Sequence, residues 1–253
     1  MRKNLWVVGV LVLVILLADQ FIKIYIKTHF LPMETVPVFG DWFVLEYVEN
    51  QGMAFGTTFG NQMWHKLALS IFRIIAIAGI GYYWYKQSQA GARREFLIAV
   101  GFIFAGATGN LIDSMCYDFI FPFDPCIGFN QLDGSGVKAT CYESFVVERR
   151  HTGFLLGNVV DMFKFQAHWP DWVSVTLPEF KMKWVGVIWH RHVIIHPGSE
   201  VFPAIWNLAD ASITIGVLMV FLRQRTYFPS KKQRKKPGFF KRLFKKKTNQ
   251  AID

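Results

Sequence analysis

Charge is scarce in this chain, and cysteine is nearly absent. Charged residues make up 18% of the 253 residues and hydrophobic residues 52%, a balance that a water-soluble domain of this length rarely carries. Composition therefore points to a membrane protein. Three cysteines, Cys116, Cys126 and Cys141, are too few and odd in number for a disulfide framework. In an oxidising compartment one pair could join; incidental free thiols are the equal alternative. A Gly-rich phosphate loop, a nucleophile elbow and an HExxH helix are all missing, which removes the commonest phosphate, serine-hydrolase and zinc-peptidase chemistries. His190, His192 and His196 read as residues of an exposed strand rather than metal ligands. No internal repeat is present. Acidic residues number 18 against 28 basic ones, yet 12 of the basic residues fall after Leu222, so the surplus belongs to the tail.

Four long apolar stretches are present, at about residues 5–26, 64–85, 96–112 and 204–222. Each approaches the ~20 residues that span a ~30 Å hydrocarbon core at ~1.5 Å per residue. The first is read as a helix rather than a cleaved signal peptide, because no small-x-small site follows it and the run continues through Phe21, Ile22 and Ile24. Arg2 and Lys3, then Lys86, Arg93 and Arg94, then the basic tail alternate to one side, which predicts cytoplasmic termini. Loops at about 28–63 and 113–203 then face outward. The expected architecture is an all-α membrane protein with four transmembrane helices in a domain spanning 1–223, followed by a basic cytoplasmic tail at 224–253.

The outer loops carry strand signals: residues 42–48 in the first and short runs at 145–147, 185–189 and 193–195 in the second. A loop of such length is usually functional or a small domain of its own. In the tail, the run KKQRKKPGFFKRLFKKK at 231–247 reads as a positive-inside anchor, and Phe239, Phe240, Leu243 and Phe244 suit contact with anionic lipid. It has no fold with which to read bases, so nucleic acid is not an expected partner.

Ionisable residues inside or at the ends of apolar helices are energetically expensive and mark functional candidates. Asp19 and Lys23 stand at i and i+4 on the first helix, acid first, the favourable order for an ion pair. A structural role fits them, with orientation of substrate as a second one. Asn110 and Asp113 stand at i and i+3 on the third helix, after Gly106 and Gly109, whose small size permits close helix approach. Asn207 and Asp210 repeat the spacing on the fourth. With a helix start near Pro203, Asp210 lies seven residues in, ~10 Å from the outer end. Asp161 sits in the outer loop between apolar neighbours, and its weight comes from pairing with Asp210.

Two carboxylates held close cannot both ionise cheaply, so one keeps a proton. The ionised member can take a proton from water and the other can donate one to a scissile carbonyl. That is peptide hydrolysis without a covalent intermediate. The residues alone also admit a small ion-coupled transporter with buried carboxylates, or a non-catalytic scaffold. Against a transporter, the acids gather toward one face of the bilayer, and no inverted repeat of broken helices is present.

Asp19-Gln20 with Lys23, the run Asn50-Gln51-Gly52-Met53-Ala54-Phe55-Gly56, Gly106-x-x-Gly109-Asn110-x-x-Asp113, Gly157-x-Val159-x-Asp161 and Asn207-x-Ala209-Asp210 occur in that order. Together they resemble the motifs of bacterial lipoprotein signal peptidase (type II signal peptidase, an aspartyl peptidase family) over roughly residues 5–223. The resemblance implies four transmembrane helices, a small extracytoplasmic β-cradle and a lipid-facing cleft in the bacterial inner membrane, with the active site near the periplasmic face. It implies removal of the signal peptide from diacylglyceryl-modified prolipoproteins just before the lipidated Cys, with Asp161 and Asp210 as the catalytic dyad. By the same resemblance Asn50, Asn110, Asp113 and Asn207, with Asp19 and Lys23, line the site and hold substrate or water. Lipidated prolipoprotein, membrane lipids and globomycin-type inhibitors are the implied partners, with neither metal nor organic cofactor. Two departures stand out. Ser114 occupies the place after Asp113 where the family usually has Arg, and the second outer loop is much longer than typical, implying an enlarged outer cap.

Overall fold

The computed structural model describes residues 2–31, 33–50, 63–121, 123–125, 146–148, 153–176, 180–184, 187–191 and 194–228. The motif at 51–56, Cys126, Cys141 and the basic run at 231–247 lie outside the described residues; Cys116 carries a free thiol.

Four apolar helices form the body: α1 (Arg2–His29), α2 (Met63–Gln89), α3 (Arg94–Ile120) and α4 (Leu208–Leu222), with a short α5 (Gln224–Tyr227) following. Three of them, at Trp6–His29, Trp64–Gln89 and Arg94–Ile120, are long and apolar enough to cross a membrane, whereas α4 is a shorter apolar helix of 15 residues. Their outer faces are built from exposed Leu13, Val14, Leu17 and Phe21 on α1 and Phe72, Ile75 and Tyr82 on α2. Apolar groups in that density suit acyl chains rather than water.

Two helix boundaries depart from expectation. The sequence pattern ends the third helix near residue 112, but α3 continues to Ile120, about two turns further. Its added turns carry Asp113, Ser114, Tyr117 and Asp118, all buried. Polar side chains that break a hydropathy pattern do not break a helix when protein partners satisfy them. The outer loop therefore begins after residue 120 rather than at 113. The fourth helix begins at Leu208, not near Pro203, because the Asn207 side chain caps it by accepting the Asp210 amide at 2.9 Å. Asp210 thus lies in the first turn, where a carboxylate complements the helix dipole, instead of seven residues deep.

Helices α3 and α4 run antiparallel in close contact, and glycine makes this possible at both ends. A Cβ on Gly106 would stand 2.1 Å from the Ala209 carbonyl oxygen, and one on Gly216 would stand 2.5 Å from that of Ala99. Both obstacles are backbone and cannot rotate away. Gly106→Val is therefore expected to destabilise the helix pair by ~1–3 kcal/mol or more, read as a lowered thermal midpoint in detergent. Gly91→Ala, facing open space at φ 72°, supplies the comparison for backbone strain alone.

A three-stranded antiparallel sheet caps this body in the order β1 (Thr35–Phe39), β2 (Phe43–Asn50) and β5 (Val159–Phe165). Strand β2 overlaps the strand predicted at 42–48. Strand β5, which carries Asp161, has no alternating pattern because Val159, Val160, Asp161 and Met162 are all buried. It is enclosed on both faces, so it reads as an apolar run rather than a strand. One core cluster of Ile26, Tyr47, Tyr117, Val160 and Met162 joins α1, β2, α3 and β5. Among its described residues the long insertion holds three two-stranded antiparallel pairs: β3 (Phe123–Pro125) with β4 (Val146–Glu148), β6 (Val175–Thr176) with β9 (Ile194–Ile195), and β7 (Phe180–Trp184) with β8 (Val187–Arg191). These overlap the runs predicted at 145–147, 185–189 and 193–195.

Candidate active site

The site forms where the sheet meets the outer ends of α1, α3 and α4. Backbone hydrogen bonds fix its two halves together. Phe163 and Trp206 exchange both of theirs, at 2.8 and 3.0 Å, and the Met162 amide donates to the same Trp206 carbonyl at 3.2 Å. Strand β5 is thereby stitched to the residue just before the α4 cap. Asp161 and Asp210, 49 positions apart in the chain, acquire a set relation through this junction.

The two carboxylates are bridged by two asparagines. Asn207 Nδ2 donates to Asp161 Oδ1 at 2.6 Å, and Asn110 Nδ2 donates to Asp210 Oδ1 at 2.8 Å. Asn207 Nδ2 also reaches Asn110 Oδ1 at 3.1 Å, which closes the chain from one acid to the other. Asn50 Nδ2, at the end of β2, donates to Asp161 Oδ2. Asp161 is 3% exposed, whereas Asp210 is only half-buried. Burial first, and then the neighbouring Asp210 charge, push the Asp161 carboxyl well above the usual carboxylate range, against the opposing influence of Lys23 and the Asn207 hydrogen bond.

Beneath this pair lies a closed charge network. Lys23 Nζ meets Asp19 Oδ2 at 3.0 Å, Asp113 Oδ2 at 2.8 Å and Asn110 Oδ1 at 2.8 Å. Asp19 Oδ1 accepts the Ala209 amide at 2.9 Å, so it serves as a second cap on the α4 N-terminus. Asp113 accepts from Gln20 Nε2 at 2.9 Å and from the Val160 amide at 3.4 Å, tying α3 to α1 and β5. Asp19, Lys23, Asp113 and Asn207 are each at most 1% exposed. Gly109 and Gly157 make room for this packing, since a Cβ on either would stand 2.7 Å from Asp19 Oδ2 or 2.6 Å from the Asp113 carbonyl oxygen.

All eight residues singled out from the sequence therefore gather in one network: Asp161, Asp210, Asn50, Asn110, Asn207, Asp19, Lys23 and Asp113. Three further residues lie in or beside it: Gln20, which the sequence offers only as part of the Asp19-Gln20 motif, and Glu49 and Arg73, which belong to no motif. Gln20 spans Asp113, Gly109 and Tyr117. Glu49, fully buried, is paired with Lys27 and accepts from the Tyr47 hydroxyl at 2.7 Å. Arg73 on α2 directs Nη1 to Ser114 Oγ at 3.4 Å. The signal for Arg73 was available, as a charge inside the apolar stretch 64–85.

A helical membrane body, a small antiparallel sheet and an enclosed polar site at their junction define a membrane enzyme. A solved bacterial membrane enzyme, determined by the in meso method at 1.9 Å resolution, shares the fold with a TM-score of 0.50 at 19% identity, over 86% of this chain and 92% of that one. The signal peptidase (SPase) II family profile matches residues 11–225, and the chain belongs to that peptidase family. Similar proteins include the lipoprotein signal peptidase of Porphyromonas gingivalis, 32% identical over 223 residues, covering 85% of this chain and 81% of that protein. The lipoprotein signal peptidase of Amoebophilus asiaticus is 27% identical over 228 residues, covering 89% and 80%. The ion-coupled transporter reading finds no support in these relatives.

Proposed function

We propose that this chain removes the signal peptide from diacylglyceryl-modified prolipoproteins, cleaving just before the lipidated Cys, with Asp161 and Asp210 as the catalytic pair. The observation that carries the reading is the Asp161–Asn207–Asn110–Asp210 bridge. It joins two acids from separate elements beside faces suited to lipid.

The two acids differ in environment, which supports a division of roles. Enclosed Asp161 keeps its proton and donates it to the scissile carbonyl oxygen. More exposed Asp210 is the ionised member and takes a proton from the attacking water. The tetrahedral diol then collapses as the leaving nitrogen is protonated, with the pair returning to one shared proton. Asn50, Asn110 and Asn207 hold the carboxyl groups in place. Asp19, Lys23 and Asp113, being enclosed, fix the frame on which those asparagines stand.

We further read α4 as a fourth span, its apolar length completed by residues flanking Leu208–Leu222, with both termini cytoplasmic. The sheet and long insertion then form an outer cradle and cap at the periplasmic face of the inner membrane, and residues after 223 form a separate cytoplasmic tail. Lysines and arginines at residues 2–3, 86–94 and after 222 support that orientation.

Purified protein in detergent is expected to cleave a diacylglyceryl-modified prolipoprotein before the modified Cys and to leave the same protein without its lipid intact. Globomycin is expected to block the cleavage. Equal cleavage of lipidated and unlipidated substrate would sink the assignment of substrate class.

A further inference from the structure

The charges of the site do not balance through Lys23 alone. Four carboxylates surround it: Asp19 on α1, Asp113 on α3, Asp161 on β5 and Asp210 on α4. Lys23 is already engaged by Asp19, Asp113 and Asn110. Even with Asp161 protonated, three negative charges face this one cation. Concentrated like charge in a weakly polar setting is unfavourable, so a second positive group adjacent to the pair has a clear physical use.

Arg73 meets that need. It is the one charged side chain between Lys66 and Lys86 along α2, a span otherwise apolar and aromatic apart from Ser70. Placing an arginine there is expensive unless it faces a polar interior. Its side chain is half-buried and turns toward α3, where Nη1 lies 3.4 Å from Ser114 Oγ. Ser114 in turn donates to the Asn110 carbonyl at 3.3 Å, and Asn110 is the residue that holds Asp210. Arg73 interacts electrostatically with Asp210, Asp113 and Asp161, most with Asp210. A guanidinium stays charged throughout the working range and offers several donors in one plane.

We propose that Arg73 is a positioning residue for the peptidase reaction: reaching from α2 to Ser114, it supplies the second positive charge of the site and holds the Asn110–Asp210 half in its working geometry. The inference rests on the reading of Asp161 and Asp210 as the catalytic pair. It also gives Ser114 a role. A short side chain on α3 leaves room for a cation delivered from α2.

The test is kcat and KM of full-length protein in detergent on a lipidated prolipoprotein, followed across pH. Arg73→Ser is expected to lower kcat at least roughly tenfold with little change in KM. Removing a cation makes the base harder to ionise, so the acidic limb of kcat is expected to move to higher pH. Arg73→Lys should retain most of the activity. The double variant Arg73→Ser/Ser114→Arg, which moves the guanidinium onto α3, should restore both kcat and the limb. The proposal is overturned if Arg73→Ser keeps wild-type kcat and pH profile. It is equally overturned if activity falls but neither the lysine nor the relocated arginine recovers any of it, since packing alone then explains the loss. A wild type that leaves the lipidated substrate uncut overturns the underlying peptidase assignment instead, and this proposal with it.

Discussion

Replacing either acid by its amide, Asp161→Asn or Asp210→Asn, is expected to lower turnover of a lipidated prolipoprotein by ~10²–10⁴-fold while the protein stays folded. The two variants should part in stability. Asp161 is enclosed and carries a carboxyl whose grip on its proton is raised by burial and by Asp210. The folded chain therefore binds this proton more tightly than the unfolded chain does. Its contribution favours folding most at low pH and declines as pH rises from the ordinary carboxylate range through the raised value. Asn at 161 removes that decline. It can still accept from Asn207, and it disturbs the Asn50 contact, a loss of ~1 kcal/mol. Thermal unfolding of Asp161→Asn should accordingly lie near wild type at low pH and gain on it as pH rises, with activity lost throughout. Near-wild-type turnover in either variant would remove that aspartate from the catalytic pair.

The site was more legible than the frame around it. The acids and asparagines on the helices come from one physical rule, that polar groups in apolar segments are expensive and so have partners, whereas Asp161 comes from its pairing with Asp210 and Asn50 from the family resemblance alone. The same rule applied evenly would have found Arg73, which lies as deep in an apolar stretch as Lys23 does. The boundaries failed for a different reason. Hydropathy ends α3 where Asp113 and Ser114 interrupt it, yet those side chains are enclosed by α1, α2 and β5, and the helix runs on to Ile120. Partners supplied from 41 to 93 positions away leave no local signature. Strand β5 was hidden likewise, since burial on both faces erases the alternation by which a strand is recognised. The start of α4 was readable in retrospect from Asn207 with Asp210, a capping residue three positions before an acid. Asn207 and Asp210 read equally as site residues. They are both at once: Asn207 caps the helix with its carbonyl oxygen and holds Asp161 with its amide nitrogen.

Lys23 is the position where stability and activity should fail together. Its ammonium has no exposure and three partners, and its removal strands two carboxylates that no other cation among the described residues meets at equal range. Lys23→Met keeps the length and apolar stem but leaves Asp19 and Asp113 facing each other. Breaking a buried ion pair on one side typically costs ~3–5 kcal/mol, and here one cation serves two acids. The expected result is a large fall in thermal midpoint in detergent and activity near background. Asp19 would be drawn from the Ala209 amide and Asn110 from its place beside Asp210, so the loss spreads to both halves of the site. Lys23→Met/Asp113→Asn, which removes one stranded charge with the cation, should recover a substantial part of the stability and little of the activity. Asp113 also accepts from Gln20 and the Val160 amide, contacts that an amide reproduces only in part. If Lys23→Met unfolds no more readily than wild type, the ion network is not what holds α1, α3 and α4 together, and the glycine-mediated contact of α3 with α4 carries the frame instead.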